Sequence, residues 1–215
     1  MFILVNVDWF GLGHDRWLAR DHFNQGTAWL RDYGDREADP ARAEKSFRRA
    51  IELDGEDVDH HEQFGAFLLM EAQPLLGERI ARESRGDQQG AARLFNRAMT
   101  LLGEAQIHHQ RATELFPRST RSWVNLGIAR MWQGDLQVAL AGAHLAVGDR
   151  EAARGPALAA LSQYSGAVSD FQAALRVDPG LRDARQHIPR VFQAVREMPD
   201  VDPAITDFKS RIPTE

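Results

Sequence analysis

One short pattern recurs along this chain of 215 residues and limits what the chain can fold into. An alanine is followed four positions later by phenylalanine and three positions after that by a second alanine. At helical spacing these residues share one face, where the alanines let a second helix approach and the phenylalanine fills the space between the two helices. The pattern therefore predicts repeated pairs of packed helices. Its copies are Ala43/Phe47/Ala50, Ala91/Phe95/Ala98 and Ala167/Phe171/Ala174, with a weaker copy at Ala105/His109/Ala112.

Composition and charge exclude several classes of protein. The chain has no cysteine, which rules out a disulfide framework, a thiol nucleophile and a cysteine-ligated zinc site. A formal net charge of -5 argues against a dedicated nucleic-acid surface. No uncharged apolar run reaches the roughly 18 residues of a membrane span, and the apolar start at residues 1–5 lacks the basic residue of an export signal. We therefore expect a cytoplasmic protein that binds neither nucleic acid nor membrane.

Helix signals cover most of the chain. We expect an extended N-terminal segment over 1–13, a helical repeat domain over 14–198 and a tail over 199–215 that holds one turn near 204–209. Asp39-Pro40 is a strong start signal, since Asp caps free N–H groups and Pro suits the first turn. Gly134-Asp135 is expected to end a helix. The predicted helices are 14–32, 40–53, 57–85, 88–116, 119–133, 136–147, 150–163, 166–177 and 181–198.

A second motif, Trp123-x2-Leu126-Gly127, precedes the alanine pattern, and prolines close two of the units at Pro117 and Pro179. Together these motifs resemble the tetratricopeptide repeat (TPR) family, whose unit is a helix-turn-helix of about 34 residues. The resemblance covers about 14–198 and implies an all-α, TPR-like α-solenoid of antiparallel helix pairs. It is best over 148–181, where Gly155 stands in frame with Gly127, and over 120–147.

The middle unit departs from the family length. Gly65 and Ala91 are separated by 26 residues, whereas Gly127 and Ala139 are separated by 12. On the second arm the alanine pattern returns 14 residues later, at Ala105. Both arms are therefore longer than those of the usual repeat by the same number of residues. This predicts one elongated central hairpin over 57–116, with each arm extended by about 21 Å at ~1.5 Å per residue. The alternative cuts each arm in two and gives four shorter helices.

Stacked repeats expose a curved surface, so binding residues are sought on the stripe opposite the packing positions. In TPR proteins that stripe lines the concave groove, where an Arg and an Asn can hold a peptide carboxylate or backbone. The corresponding stripe in the preceding unit lacks a cation, so a full carboxylate clamp is not expected. The candidate partner-binding residues are Arg121, Asn125, Ile128 and Trp132 in one unit and Asp59, Gln63, Ala66 and Met70 in the other.

Two alternatives stay open at this point. Instead of binding a partner, the apolar side chains of Ile128 and Trp132 can be buried against the apolar segment 2–5 or against another helix. Folding the long hairpin about Gly86 brings His61 near His108 and His109, with Glu62 and Glu104 close in sequence, which suggests either a metal site or polar substitutes for packing residues.

The sequence holds no catalytic motif. We therefore expect a non-enzymatic adaptor or scaffold without cofactor or metal that binds a protein or peptide partner. The alternatives are a metal-binding helical protein and a self-associating structural subunit, that is, a homo-oligomer.

Overall fold

The structure, a computed structural model, describes residues 9–31 and 37–213, with side chains from residue 13 onward. Every regular element in these ranges is a helix, and the protein is all-α. The predicted extended segment at 2–5 and the predicted helix stop at 33–35 lie outside the described residues. The helices are α1 (Trp9–Trp29), α2 (Pro40–Leu53), α3 (Val58–Ser84), α4 (Gln88–Leu115), α5 (Thr120–Ala146), α6 (Arg150–Val177), α7 (Arg182–Glu197) and α8 (Pro203–Ser210).

These helices form a solenoid of antiparallel pairs. α1 packs on α2, α3 on α4 and α5 on α6, and each second helix also contacts the first helix of the next pair. α1 begins at Trp9, inside the segment expected to be extended, while α2 begins at Pro40 behind the Asp39 cap, as predicted. The tail holds α8, whose Ile205 is fully buried against α6 and α7, so the tail belongs to the packed array.

The elongated central hairpin is confirmed. α3 and α4 are continuous helices of 27 and 28 residues, and α3 runs through Pro74 without ending. Gly86 makes the turn between them with a φ of 78°, a region that residues with a Cβ rarely adopt. The carboxylate of Asp87 then caps α4 by accepting the N–H of Gly90 at 2.8 Å. The alternative of four shorter helices over 57–116 is therefore wrong.

A second elongated hairpin replaces the four short helices expected over 119–177. Residues 119–133 and 136–147 belong to one helix, α5, and residues 150–163 and 166–177 belong to another, α6. Gly134 does not end a helix; a Cβ built on it would lie 2.6 Å from the ring of Tyr164, so the glycine makes room for that ring. The stretch 148–181 is consequently not a helix-turn-helix unit, since most of it is a single helix.

The two long hairpins are copies of one structural repeat. α3 begins at Val58 and α5 at Thr120, an offset of 62 residues, and the same offset separates the ends of α3 and α5 and both ends of α4 and α6. It also carries Gly86 onto Gly148, which has a φ of 79°. The repeating unit is therefore about twice as long as the TPR unit of about 34 residues.

Aromatic rings packed on glycines join the two arms of each pair. Cβ atoms built on Gly26, Gly65 and Gly127 would lie 2.6–2.8 Å from the rings of Phe47, His109 and Phe171 respectively. The three rings are at most 2% exposed. Each glycine therefore permits the close approach that the alanine pattern predicts. Gly155, expected to match Gly127, lies on the same helix as Phe171 and has no atom within 4 Å of its built Cβ.

Contacts between pairs define one side of the stack. α3 touches α5 and α5 touches α7, whereas in the described part of the chain no contact of similar extent joins α2 with α4 or α4 with α6. The first helices of the last three pairs therefore meet along one side. We call the side formed by α3, α5 and α7 the inner face. None of the described helices is both long and apolar enough to cross a membrane.

A matched pair of glycine substitutions tests this packing. Gly127→Ala should lower the free energy of unfolding by about 1–3 kcal/mol, because the new methyl group meets the buried ring of Phe171. Gly155→Ala should raise it by about 0.5–1 kcal/mol, because an exposed helical position gains propensity without a clash. Urea unfolding followed by circular dichroism measures both changes; equal effects at the two positions would contradict the assigned packing.

Candidate functional site

The predicted partner-binding residues lie on α3 and α5, two of the helices that form the inner face. Asp59 and Arg121 occupy the first turns of these helices and are exposed. Met70 is 48% exposed, which is unusual for a large apolar side chain in the middle of a helix. Gln63, Ala66 and Asn125 are half-buried. The face thus combines polar groups near one end of the two helices with apolar surface further along.

Arg121 and Asn125 have free polar groups. Neither side chain forms a hydrogen bond or an ion pair with a described residue. A guanidinium and a carboxamide one helical turn apart can together bind a carboxylate or a peptide group, the Arg by charge-assisted hydrogen bonds. Asp59 stands at the equivalent position of α3 and gives this face a charge of the opposite sign nearby.

Ile128 and Trp132 have a structural role as well. Both are half-buried and both pack against the core around α3 and α4 as well as the core around α5, α6 and α7. These contacts with other helices match the structural alternative for the two residues. Their contribution to a binding groove stays a prediction.

The predicted histidine cluster forms between the arms of the first long hairpin. Nδ1 of His61 lies 2.9 Å from Nδ1 of His108, and Nε2 of His61 lies 3.0 Å from the carbonyl oxygen of Gly55. That carbonyl can only accept, so His61 carries its proton on Nε2 and accepts a hydrogen bond from the Nδ1–H of His108. The two rings therefore form a hydrogen-bonded pair in their neutral forms.

Electrostatics favour these neutral forms. Burial and, to a smaller extent, the neighbouring His61 ring together lower the pKa of His108 from its usual 6.5 to about 4. Burial also lowers the pKa of His61, with a smaller contribution in the same direction from Arg111. Two imidazolium rings at this distance would repel each other in a poorly solvated site. At neutral pH the pair is consequently uncharged.

Two arginines, each paired with carboxylates, flank this cluster. Arg48 on α2 forms a bidentate pair with Glu104 on α4, in which Nη2 donates to Oε2 at 2.8 Å. This pair joins the helix pair α1–α2 to the long hairpin α3–α4. This Arg lowers the pKa of Glu104. On the other side, Arg111 donates to Glu56 and Glu114. Sequence patterns missed the pair between Arg48 and Glu104, because no local spacing brings α2 to the middle of α4.

Glu62 does not join the histidines, contrary to expectation. It is 8% exposed and accepts hydrogen bonds from the hydroxyls of Ser119 and Ser122. Ser119 is the N-terminal cap of α5, so the carboxylate also lies at the positive end of that helix. Within the described ranges no three metal-ligating side chains converge on one point. The cluster is a contact between helices, in line with the reading of His61 and His109 as substitutes for packing residues.

His109 occupies the ring position of the Gly–aromatic contact and is fully buried. Neither of its ring nitrogens forms a hydrogen bond of normal geometry with a described residue, and the backbone of Gly65 interacts with the ring only weakly. Burial lowers the pKa of His109 to about 3, so the ring is neutral but leaves two polar atoms unsatisfied. The equivalent rings, Phe47 and Phe171, avoid this cost.

Replacing His109 with phenylalanine should therefore stabilise the protein. We expect His109→Phe to raise the free energy of unfolding by about 1–3 kcal/mol, because it removes unsatisfied buried polar atoms while keeping a ring against Gly65. The reverse exchange, Phe171→His, should lower it by a similar amount. Urea unfolding measures both; a destabilised His109→Phe protein would contradict the packing role.

The histidine pair should make stability pH-dependent. The pKa of His108 is about 4 in the folded chain and near 6.5 in the unfolded one, so the unfolded state binds more protons between these values. Its stabilising contribution is complete above pH 6.5 and is lost as the pH falls toward 4, by up to about 3 kcal/mol. Burial raises the pKa of Asp170 to about 7, so protonation of Asp170 increases the stability of the folded chain as the pH falls. The effect of His108 is therefore measured as the difference in unfolding free energy between the wild type and a His108 variant.

That difference isolates His108. Unfolding of the wild type and of His108→Gln is compared at intervals from pH 7 to pH 4, with His14→Gln, an exposed histidine on α1, as the control. The stability gap between wild type and His108→Gln should narrow in acid, whereas the gap to His14→Gln should stay constant. A gap to His108→Gln that does not change with pH would refute the neutral pair.

No protein-family model matches the chain, and no curated protein matches it either. Solved structures are similar to it at low identity. The TPR domain of Arabidopsis OM64 is 14% identical with a TM-score of 0.44, covering 82% of this chain and 96% of that one. The first TPR of Spaghetti (RPAP3), bound to the HSP90 peptide SRMEEVD, is 13% identical with a TM-score of 0.42, covering 90% and 99%.

A monomeric IFIT1 mutant with m7Gppp-AAAA is 15% identical with a TM-score of 0.35, covering 95% of this chain and 45% of that one. The TPR-like description of this chain rests on its own helix pairs and on contacts such as that between Gly127 and Phe171.

Proposed function

We propose that this chain is a non-enzymatic, TPR-like interaction module that binds a protein or peptide segment on its concave inner face. The observation that carries the proposal is the pair Arg121 and Asn125, two polar side chains that lie one turn apart on α5 and have no partner among the described residues. Polar side chains that are withdrawn from solvent are normally paired, and Asn125 is half-buried. Their free state supports a role toward a ligand.

The surroundings of this pair suggest the chemistry of the ligand. The Arg suits a carboxylate or a backbone carbonyl, and the Asn suits the backbone of an extended segment, because a carboxamide both donates and accepts. The exposed side chain of Met70 and the accessible parts of Ile128 and Trp132 offer apolar contact further along the face. Flexible methionines adapt well to varied apolar partners. A segment with one acidic group and a nearby apolar residue fits these features.

The alternatives have weaker support. A metal-binding protein needs three or four converging ligands, and the described residues bring together two imidazoles, His61 and His108, whose facing nitrogens already share a hydrogen bond. A structural subunit that associates through its end helices needs open ends, and at the C-terminal end α8 already covers part of α6 and α7.

A pull-down with the full chain tests the proposal. The variant Arg121→Ala plus Asn125→Ala should recover its binding partners at least about tenfold less well than the wild type, because charge-assisted hydrogen bonds contribute about 1.5–3 kcal/mol each. The matched control is Arg93→Ala plus Asn96→Ala, two exposed residues of the same types on α4. Equal recovery of the same partners by the wild type and the first variant would refute the proposed contacts.

A further inference from the structure

A cleft of about 640 Å³ lies between α1 and α2, apart from the inner face. Its volume is in the range of sites that hold small molecules or side chains of a partner. None of the residues proposed to bind a partner on the inner face lines it. The side chains that line it are His22, Gln25, Trp29, Ala41, Arg42, Glu44, Lys45, Ser46, Arg48, Arg49 and Glu52.

The cleft is positively charged in a protein that is negatively charged overall. The described side chains that line it include four cations and two anions, whereas the whole chain has a formal net charge of -5. Lys45 forms no ion pair with a described residue. Arg42 and Arg49 pair with carboxylates, but both guanidinium groups are more than half exposed, and pairs of this kind contribute little and exchange easily. These three cations are therefore available to an anionic partner.

Aromatic and apolar surface accompanies this charge. The guanidinium of Arg42 lies 4.7 Å from the ring centre of Trp29, which is half-buried at the wall of the cleft. An indole ring with a cation over it offers both a flat apolar contact and a charge to an incoming side chain.

The structural repeat explains why the cleft is open here. The 62-residue offset places Ser46 of the first pair where His108 stands in the next, and the corresponding cleft there, lined by His61, His108 and Arg111, measures about 450 Å³. Two hydrogen-bonded imidazole rings line that second cleft. Ser46 is much smaller than His108, and the first cleft is correspondingly larger.

From these observations we propose that the cleft between α1 and α2 is a second docking site, whose ligand is an acidic protein segment that also carries an aromatic or aliphatic side chain. The carboxylates of the segment pair with Lys45, Arg49 and Arg42, and its apolar side chain contacts Trp29. Arg48 keeps its structural pair with Glu104. Nucleic acid fits less well, because four cations beside two anions do not extend into a continuous basic track.

The probe for this site is a fluorescein-labelled peptide with glutamates on one helical face and one tryptophan, measured by anisotropy against the full chain. Lys45→Gln plus Arg49→Gln should weaken its binding about tenfold or more, and added salt should weaken it further. The matched control is Arg93→Gln plus Arg118→Gln, two exposed arginines outside the cleft. Binding that persists in Arg121→Ala plus Asn125→Ala but is lost in Lys45→Gln plus Arg49→Gln belongs to the cleft and not to the inner face.

A nuclear magnetic resonance titration locates the bound peptide. The indole N–H signal of Trp29, assigned by comparison with Trp29→Phe, should shift as peptide is added. Three results would overturn the proposal: no binding of the peptide, equal binding of its glutamine counterpart, or binding that leaves the Trp29 signal and the affinity of the Lys45/Arg49 variant unchanged. Tighter binding of a single-stranded DNA of equal charge would also overturn it, since that outcome identifies a general polyanion surface.

Discussion

The whole array depends on the contact between an aromatic ring and a glycine in the facing helix. Phe47 on Gly26, His109 on Gly65 and Phe171 on Gly127 bring paired helices close enough for the flanking alanines to pack. Interiors of this kind are close-packed, so even one added methyl group lowers the free energy of unfolding. The low aromatic content of 8% is sufficient because each pair needs one such ring.

The length of the hairpins follows from their turns. In both long hairpins a glycine with positive φ, Gly86 or Gly148, reverses the chain, and the following aspartate caps the returning helix. Between turn and base, each arm of 27 or 28 residues contains no comparable break. Long arms extend the contact between α3, α4 and α5 well beyond a single Gly–aromatic pair.

Much of this was readable from the sequence. The spacing of alanine and phenylalanine predicted the packed pairs, and the equal excess on two arms predicted the first long hairpin together with the approach of His61 to His108. The second long hairpin was not predicted, because Gly134 was expected to end a helix and Gly155 was aligned with the packing glycine Gly127. The distance from Gly127 to Phe171 equals that from Gly65 to His109, 44 residues in each case, and this was the signal that could have found it.

Contacts between distant segments were beyond the reach of local patterns. Glu62 faces Ser119 and Ser122, and Arg48 faces Glu104, because packing of one helix pair on the next brings these side chains together. No periodicity within one helix encodes which residue of another helix it meets. The same holds for Ile128 and Trp132, which lie between two cores.

The sequence by itself determined an all-α array of paired helices, because small and aromatic residues at helical spacing form a face that is stable when it packs against another helix. Only the tertiary structure decided where each helix ends, which glycine receives which ring, and which polar groups remain unpaired. A glycine permits a turn and a close helix contact equally well, and the choice between them depends on whether a ring from another helix fills the space beside it.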